Sequence, residues 1–155
     1  MIILGIDPGF ARMGVGLIEV KNRQVVHIMH EVVETTVGEI HHKRLLTLHT
    51  RLSKILAKYT PALVAVEDLF VYKNLKTVMK VGQARGVILL TIAQHKLPIK
   101  EFTPMQIKQA LTGYGKATKQ QIQKMVQMEL KLKEIPKPDD AADALATAIA
   151  AAHTV

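Results

Sequence analysis

The sequence contains no cysteine, so it can form no disulfide, and thiolate zinc chemistry is excluded. A reducing, cytoplasmic setting is the simplest expectation. Long apolar runs are also missing. None reaches the roughly 20 residues that a bilayer-spanning helix requires, and the N-terminal MIILGIDPG is too short and lacks the basic start of a secretory signal. No internal repeat and no low-complexity linker interrupts the chain, so its 155 residues are expected to form a single domain over 1–155. Acids are scarce as well. Thirteen Asp and Glu stand against 21 Lys and Arg, a net charge of +8, and only five of the acids are aspartates.

What is present is unevenly placed. From Lys96 to Lys137 there are nine lysines against three acids (Glu101, Glu129 and Glu134), so this segment carries six of the eight excess charges. A basic surface of this kind attracts nucleic acid or anionic lipid, although a solvated lysine face is the ordinary alternative. The scarce aspartates do the opposite and cluster, three of the five falling within 139–143 in PDDAADALATAIAAAH. Helix capping accounts for Asp139 or Asp140. It accounts less well for Asp143, which lies a full turn in and shares a helical face with Asp140.

Hydrophobic periodicity places these residues on elements. IILGID (2–7) is a buried strand entering a Pro-Gly turn, and MGVGLIEV (13–20) and QVVHIMHEVVE (24–34) complete a meander. An amphipathic helix is predicted over 38–59, a central strand over 62–67, a long helix over 74–95 and a short strand over 98–102. Thr103 with Pro104 starts the next helix, Thr118 with Gln121 forms a capping box for another that runs to about Leu132, and the aspartate helix follows. The order β-β-β-α-β-α-β-α-α-α predicts an α/β fold: a mixed five-stranded sheet, helices on both faces, the third strand at an edge and the first beside the fourth in parallel.

Functional sites in such sheets lie at the carboxyl ends of strands. Asp7 ends the first strand and Glu67 the fourth. Each has a structural account, as a turn residue before Pro-Gly and as an exposed strand end. Together with Asp140 and Asp143, however, they form a hard-oxygen set that suits Mg²⁺ or Mn²⁺ and not Zn²⁺. Four carboxylates beside a basic groove are what phosphodiester hydrolysis with two metal ions needs.

Four stretches, GIDPGFARMGVGLIE, AVEDLFVYKN, VGQARGV and DDAADALATAIAAAH, resemble in order and spacing the signature blocks of the RuvC family, the bacterial Holliday junction resolvases. The resemblance covers essentially the whole chain. It implies an RNase H-like nuclease domain, metal ligands and catalytic acids at Asp7, Glu67, Asp140 and Asp143, and two Mg²⁺ ions per site, with Mn²⁺ able to substitute. It also implies a homodimer making paired, symmetric nicks in four-way junction DNA during homologous recombination and repair, alongside a RuvA and RuvB branch-migration complex. Lys108 and Lys119 fall where the family contacts the junction, and Phe70 where it places an aromatic against unstacked bases. Asp139, which precedes the third acid, is then expected to be the helix cap. Asp68 should point to the other face of the sheet from Glu67.

The remaining signals have plainer expectations. His41 and His42 should face solvent, and His153 should not be a ligand. Gly113-Tyr114-Gly115 is followed by a helix cap only at Thr118, so it is expected to contact DNA as a loop and not to cradle a phosphate. Arg85 is expected in a structural ion pair as readily as on DNA. Three other functions compete. An RNase H-like nuclease acting on RNA or an RNA–DNA hybrid would share fold and acids. An actin-like or sugar-kinase ATP site would need two lobes, and the chain has length for one. A binding module without catalysis would leave four carboxylates opposing the phosphate it attracts.

Overall fold

The computed structural model describes residues 1–68 and 75–155, the side chains of 75 and 76 excepted. The elements are β1 (Ile2–Asp7), β2 (Arg12–Lys21), β3 (Gln24–Glu34), α1 (His41–Tyr59), β4 (Leu63–Glu67), α2 (Leu75–Gln94), β5 (Ile99–Phe102), α3 (Pro104–Thr112), α4 (Lys119–Glu129) and α5 (Asp139–Ala152). The five strands form one sheet in the order β3-β2-β1-β4-β5, with β3 at one edge. β1 pairs antiparallel with β2 and parallel with β4, Gly5 lying opposite Gly16 on one side and Ala65 on the other.

Side-chain alternation along the strands divides the core in two. Leu4, Ile6, Val15, Leu17, Val64 and Val66 pack with α1 and α2. Ile3, Ile18, Ala65 and Phe102 pack with α3, α4 and α5. The second layer is unusually thin. A β-carbon placed on Gly16 would lie 2.6 Å from the backbone nitrogen of Leu145, and one on Gly5 would lie 2.6 Å from that of Ala148. α5 therefore rests on β1 and β2 with backbone against backbone. Glycine on the strands and alanine on the helix are what permit that approach.

Helix termini follow local chemistry where local chemistry is sufficient. The Thr103 hydroxyl accepts from Gln106 N at 3.2 Å while the Gln106 side chain accepts from Thr103 N at 2.8 Å, and Thr118 with Gln121 repeats the box at the same distances. Three expectations are corrected. α1 starts at His41 and not 38, because Gly38 turns the chain at φ +84° and Ile40 occupies the N-cap. α4 ends at Glu129, with Lys131 at a left-handed φ of +52°. Asp139 is not the cap: Pro138 takes that position with no side-chain bond, and the Asp139 carboxylate instead meets Lys119 Nζ at 3.2 Å and accepts from Gln123 at 3.0 Å. Among the described residues no helix is long and apolar enough to cross a membrane.

Candidate active site

Asp7 ends β1 on the face that carries Ile3 and Gly5, the face covered by α5. Glu67 ends β4 two residues beyond Ala65, on the same face. Asp140 and Asp143 arrive from the first turns of α5, which the glycine contacts hold against β1 and β2. The proximity continues to the active end. A β-carbon on Gly14 would lie 1.9 Å from the Asp140 carbonyl oxygen and 3.2 Å from the Asp7 β-carbon. The structure thus gathers the four predicted carboxylates at one end of the sheet.

They interact strongly there. Burial, reinforced by the negative charges of Asp143 and Asp140, pushes the Asp7 carboxyl from an ordinary 3.8 up to about 7, against an opposing pull from Lys119. Burial, with Asp7 and Asp143, pushes Glu67 up to about 8, opposed by Lys119 and Lys108. Asp143 is raised by its burial, partly offset by a 3.0 Å hydrogen bond from Lys119 Nζ. Burial disfavours the charged Lys119 ammonium, yet its bonds to Asp143 and Asp139 hold its pKa above the usual value. Asp140 is met by Arg12 Nε at 3.6 Å.

Among the described residues, no three potential ligands are drawn together as an ion cage. Lys119 holds Asp143 and Arg12 holds Asp140, while Asp7 and Glu67 take no salt-bridge partner among the described residues. The donor chemistry nevertheless fits a hard divalent cation. Every candidate ligand is a carboxylate, and the two innermost keep protons to near neutrality when no cation offsets their charge.

A stability consequence follows. In the unfolded chain Asp7 and Glu67 lose their protons near 3.8 and 4.5, whereas in the fold they keep them to about 7 and about 8. A raised native pKa means stability that is complete below the unfolded value and is lost as pH climbs through the folded one. In EDTA, the melting temperature should therefore fall as pH rises from about 4 to about 8, and Asp7→Asn should flatten that fall. Calorimetric melts across this range check both expectations; a wild-type Tm that rises towards pH 8 contradicts them.

The other predicted residues are placed as follows. Lys108 and Lys119 line a recess of about 240 Å³ with Glu67, Asp143, Ile107 and Ile122, so α3 and α4 bring both lysines to the carboxylates. Phe70 lies outside the described residues. Asp68 does face away from Glu67, meeting Arg85 Nη2 of α2 at 3.1 Å, and Arg85 also pairs with Glu101. Arg85 is thus a structural cation. His42 is exposed as expected, but His41 is half-buried: its Nε2 shares a 2.6 Å hydrogen bond with Gln83, and its ring lies tilted on Phe10. His153 bonds Glu129 at 2.6 Å and the Ala110 carbonyl at 3.1 Å, far from any ligand role. Tyr114 is 58% exposed between α3 and α4, and Gly113 ends α3 in a left-handed cap. Sequence reasoning missed Arg12, whose contact with Asp140 joins β2 to α5 across many intervening residues and leaves no local pattern.

A mixed sheet in the order β3-β2-β1-β4-β5, helices on both faces and acids at the ends of β1 and β4 and the start of α5 place this chain in the RNase H-like class. The profile of the family described as "Crossover junction endodeoxyribonuclease RuvC" matches residues 3–153. A protein of that name from Heliobacterium modesticaldum is 52% identical over 155 residues, all of this chain and 96% of the relative. The structure of Thermus thermophilus RuvC superimposes with a TM-score of 0.92 at 37% identity, covering 99% of this chain and 94% of the other. The same protein in complex with a Holliday junction substrate gives 0.90 at 35% identity, with the same coverages. The chain belongs to the RuvC family.

Proposed function

We propose that this chain is a structure-specific DNA endonuclease that resolves Holliday junctions in homologous recombination and repair by paired, symmetric nicks. The observation that carries this reading is the set of four convergent carboxylates, two of them buried and repelling, walled by Lys108 and Lys119. The full-length likeness to a RuvC solved on a Holliday junction supports the substrate.

Asp7 and Glu67 from the sheet, with Asp140 and Asp143 from α5, would hold Mg²⁺, or Mn²⁺ in its place, at two positions. When bound, such ions supply an activated attacking water and charge to offset the leaving oxygen. The protein's own part is positioning. The backbone contact between α5 and the strands fixes the carboxylates, and Lys108 and Lys119 draw a strand's phosphates towards them. Lys119 has a second consequence: it neutralises Asp143 and Asp139 while no other cation is present. Lys119→Ala should therefore tighten Mn²⁺ binding to the DNA-free protein, measured by calorimetry, while weakening junction binding. Equal or weaker Mn²⁺ affinity would contradict that role.

A homodimer through α2 matches a substrate with two-fold symmetry. Ala84, Ile88, Thr91 and Ile92 turn inward, whereas Met79 and Leu90 are 67% and 59% exposed on the opposite side. Gly82 and Gly86 share that outer side, and a β-carbon on either would meet nothing within 4 Å. The outer stripe is thus apolar and shallow, suited to close approach by an identical helix. Met79→Glu with Leu90→Glu should give a folded monomer by light scattering that nicks without pairing its cuts. A variant that remains dimeric would place the interface elsewhere. RuvA and RuvB as branch-migration partners, and a cytoplasmic location, belong to the same reading.

Incubation with a synthetic mobile four-way junction, with and without Mg²⁺, tests the function directly. Symmetric nicks that depend on the metal are expected. Cleavage of an RNA–DNA hybrid with no action on the junction would instead favour an RNase H-like enzyme of RNA.

A further inference from the structure

Beside the four carboxylates, on the side opposite Lys108 and Lys119, lies a second open recess of about 510 Å³ whose lining includes Phe10, Arg12, Arg44, Thr77, Lys80 and Asp140. Its floor is the turn between β1 and β2, immediately after Asp7. That turn is clamped by Thr35, whose hydroxyl donates to the Phe10 carbonyl at 3.0 Å and whose N–H donates to the Ala11 carbonyl at 2.9 Å. The same buried hydroxyl accepts from Arg44 Nε at 2.8 Å. Arg44 in turn lies with its guanidinium carbon 4.0 Å from the Phe10 ring centre, and Lys80 Nζ stands 5.7 Å from that centre.

Two helices remote in sequence, α1 and α2, thus bring cations to one aromatic ring, and Arg12 of β2 lines the same recess. Arg12 is occupied, by Glu34 at 3.3 Å and Asp140 at 3.6 Å, and it offsets the one carboxylate that lines the recess. Arg44 and Lys80 have no carboxylate partner within 4.0 Å among the described residues. An arginine fixed by stacking and by one hydrogen bond, its remaining N–H groups uncommitted to any acid, is pre-organised for an anion from outside the chain. Arg44 and Lys80 lie over the Phe10 ring, and His41 is tilted against it at 4.8 Å. The ring serves as a platform for the cations, and the group recognised is a phosphate.

We infer that the Phe10–Arg44–Lys80 recess binds a backbone phosphate of the strand being cut, on the far side of the scissile bond from Lys108 and Lys119. This inference rests on the proposed nuclease function and extends it. The strand would cross the carboxylates from one cationic recess to the other, held on both sides of the reacting phosphate, which limits its freedom to slide along the site.

The test measures junction binding in Ca²⁺ against salt concentration for the wild type, Lys80→Gln, the double variant Arg44→Gln/Lys80→Gln, and Lys54→Gln as a control about 15 Å further along α1. Each lost phosphate contact should reduce the log–log slope by about 0.9, so the double variant, which gives up the one phosphate of the recess, should lose about 0.9 and the control nothing. A second arm replaces single phosphates near the nick with methylphosphonates. The wild type should weaken at a position flanking the nick where the double variant does not weaken further. A double variant with the wild-type slope, or with the same methylphosphonate pattern, overturns the inference. Arg44 also bonds Thr35, so Lys80→Gln, exposed on α2, decides alone if the double variant fails to melt cooperatively. A wild type that neither binds nor cuts a junction overturns this inference and the nuclease reading together. One that does both while the variants keep its slope overturns only this inference.

Discussion

Asp7→Asn and Glu67→Gln should each lower junction cleavage by more than ~100-fold, exceeding the usual cost of losing a group that merely supports a metal ligand. Both should leave junction binding intact or tighter. Each substitution removes a candidate ligand oxygen, and each also removes the negative charge the acid would carry once ionised, in a place where phosphate must come close. The two carboxylates are nearly isosteric with their amides, so folding is not the expected casualty. Metal-free stability should even improve at pH 8, because both acids are held well above their ordinary pKa by burial and mutual repulsion. Nicking assays and filter binding on one junction separate the two effects. A variant that cuts at near the wild-type rate would remove that residue from the site.

The second large effect lies away from the chemistry. Gly16→Val should cost more than ~3 kcal/mol in urea denaturation, at or beyond the upper end for overpacking a core. The introduced carbon would sit 2.6 Å from the Leu145 nitrogen and 2.8 Å from its α-carbon. Backbone atoms cannot rotate aside as a side chain does, so α5 itself must move, taking Asp140 and Asp143 with it. Gly82→Ala is the contrasting case, because a β-carbon there meets nothing within 4 Å. Equal stability losses at the two glycines would show that the thin layer is not what makes Gly16 necessary.

Much of this architecture was legible in the sequence because local chemistry decides it. The central strands β1 and β4 stand out as short apolar runs, the capping boxes at Thr103 and Thr118 are complete within four residues, and Pro-Gly after Asp7 forces a turn. The four acids were legible for a different reason: carboxylates are rare in a basic chain and stand at element ends. Misreadings arose where a distant partner prevails over a local preference. Asp139 has the position and chemistry of a first-turn helix acid, but Lys119 and Gln123, both on α4, claim its side chain. His41 looked like half of a solvent-facing pair, and only the fold brings Gln83 and Phe10 to it. The Phe10–Arg44–Lys80 cluster joins a turn to two helices and has no sequence signature at all. The strand glycines were visible, and so were the alanines of α5. That each is the reason for the other is a tertiary fact.

The bare contact between α5 and the two strands also has a dynamic consequence. Where ordinary side chains separate a helix from a sheet, the interface can loosen by rotamer hopping, and water can reach the amides beneath before the whole domain opens. Between Gly5, Gly16 and the backbone at Ala144–Ala148 there is almost no side chain to rearrange. The amide protons of central β1 and of α5 over these residues should exchange with deuterium only through global unfolding, and so be the last to do so. The acids mounted on that seam then inherit the rigidity of the slowest-opening part of the molecule.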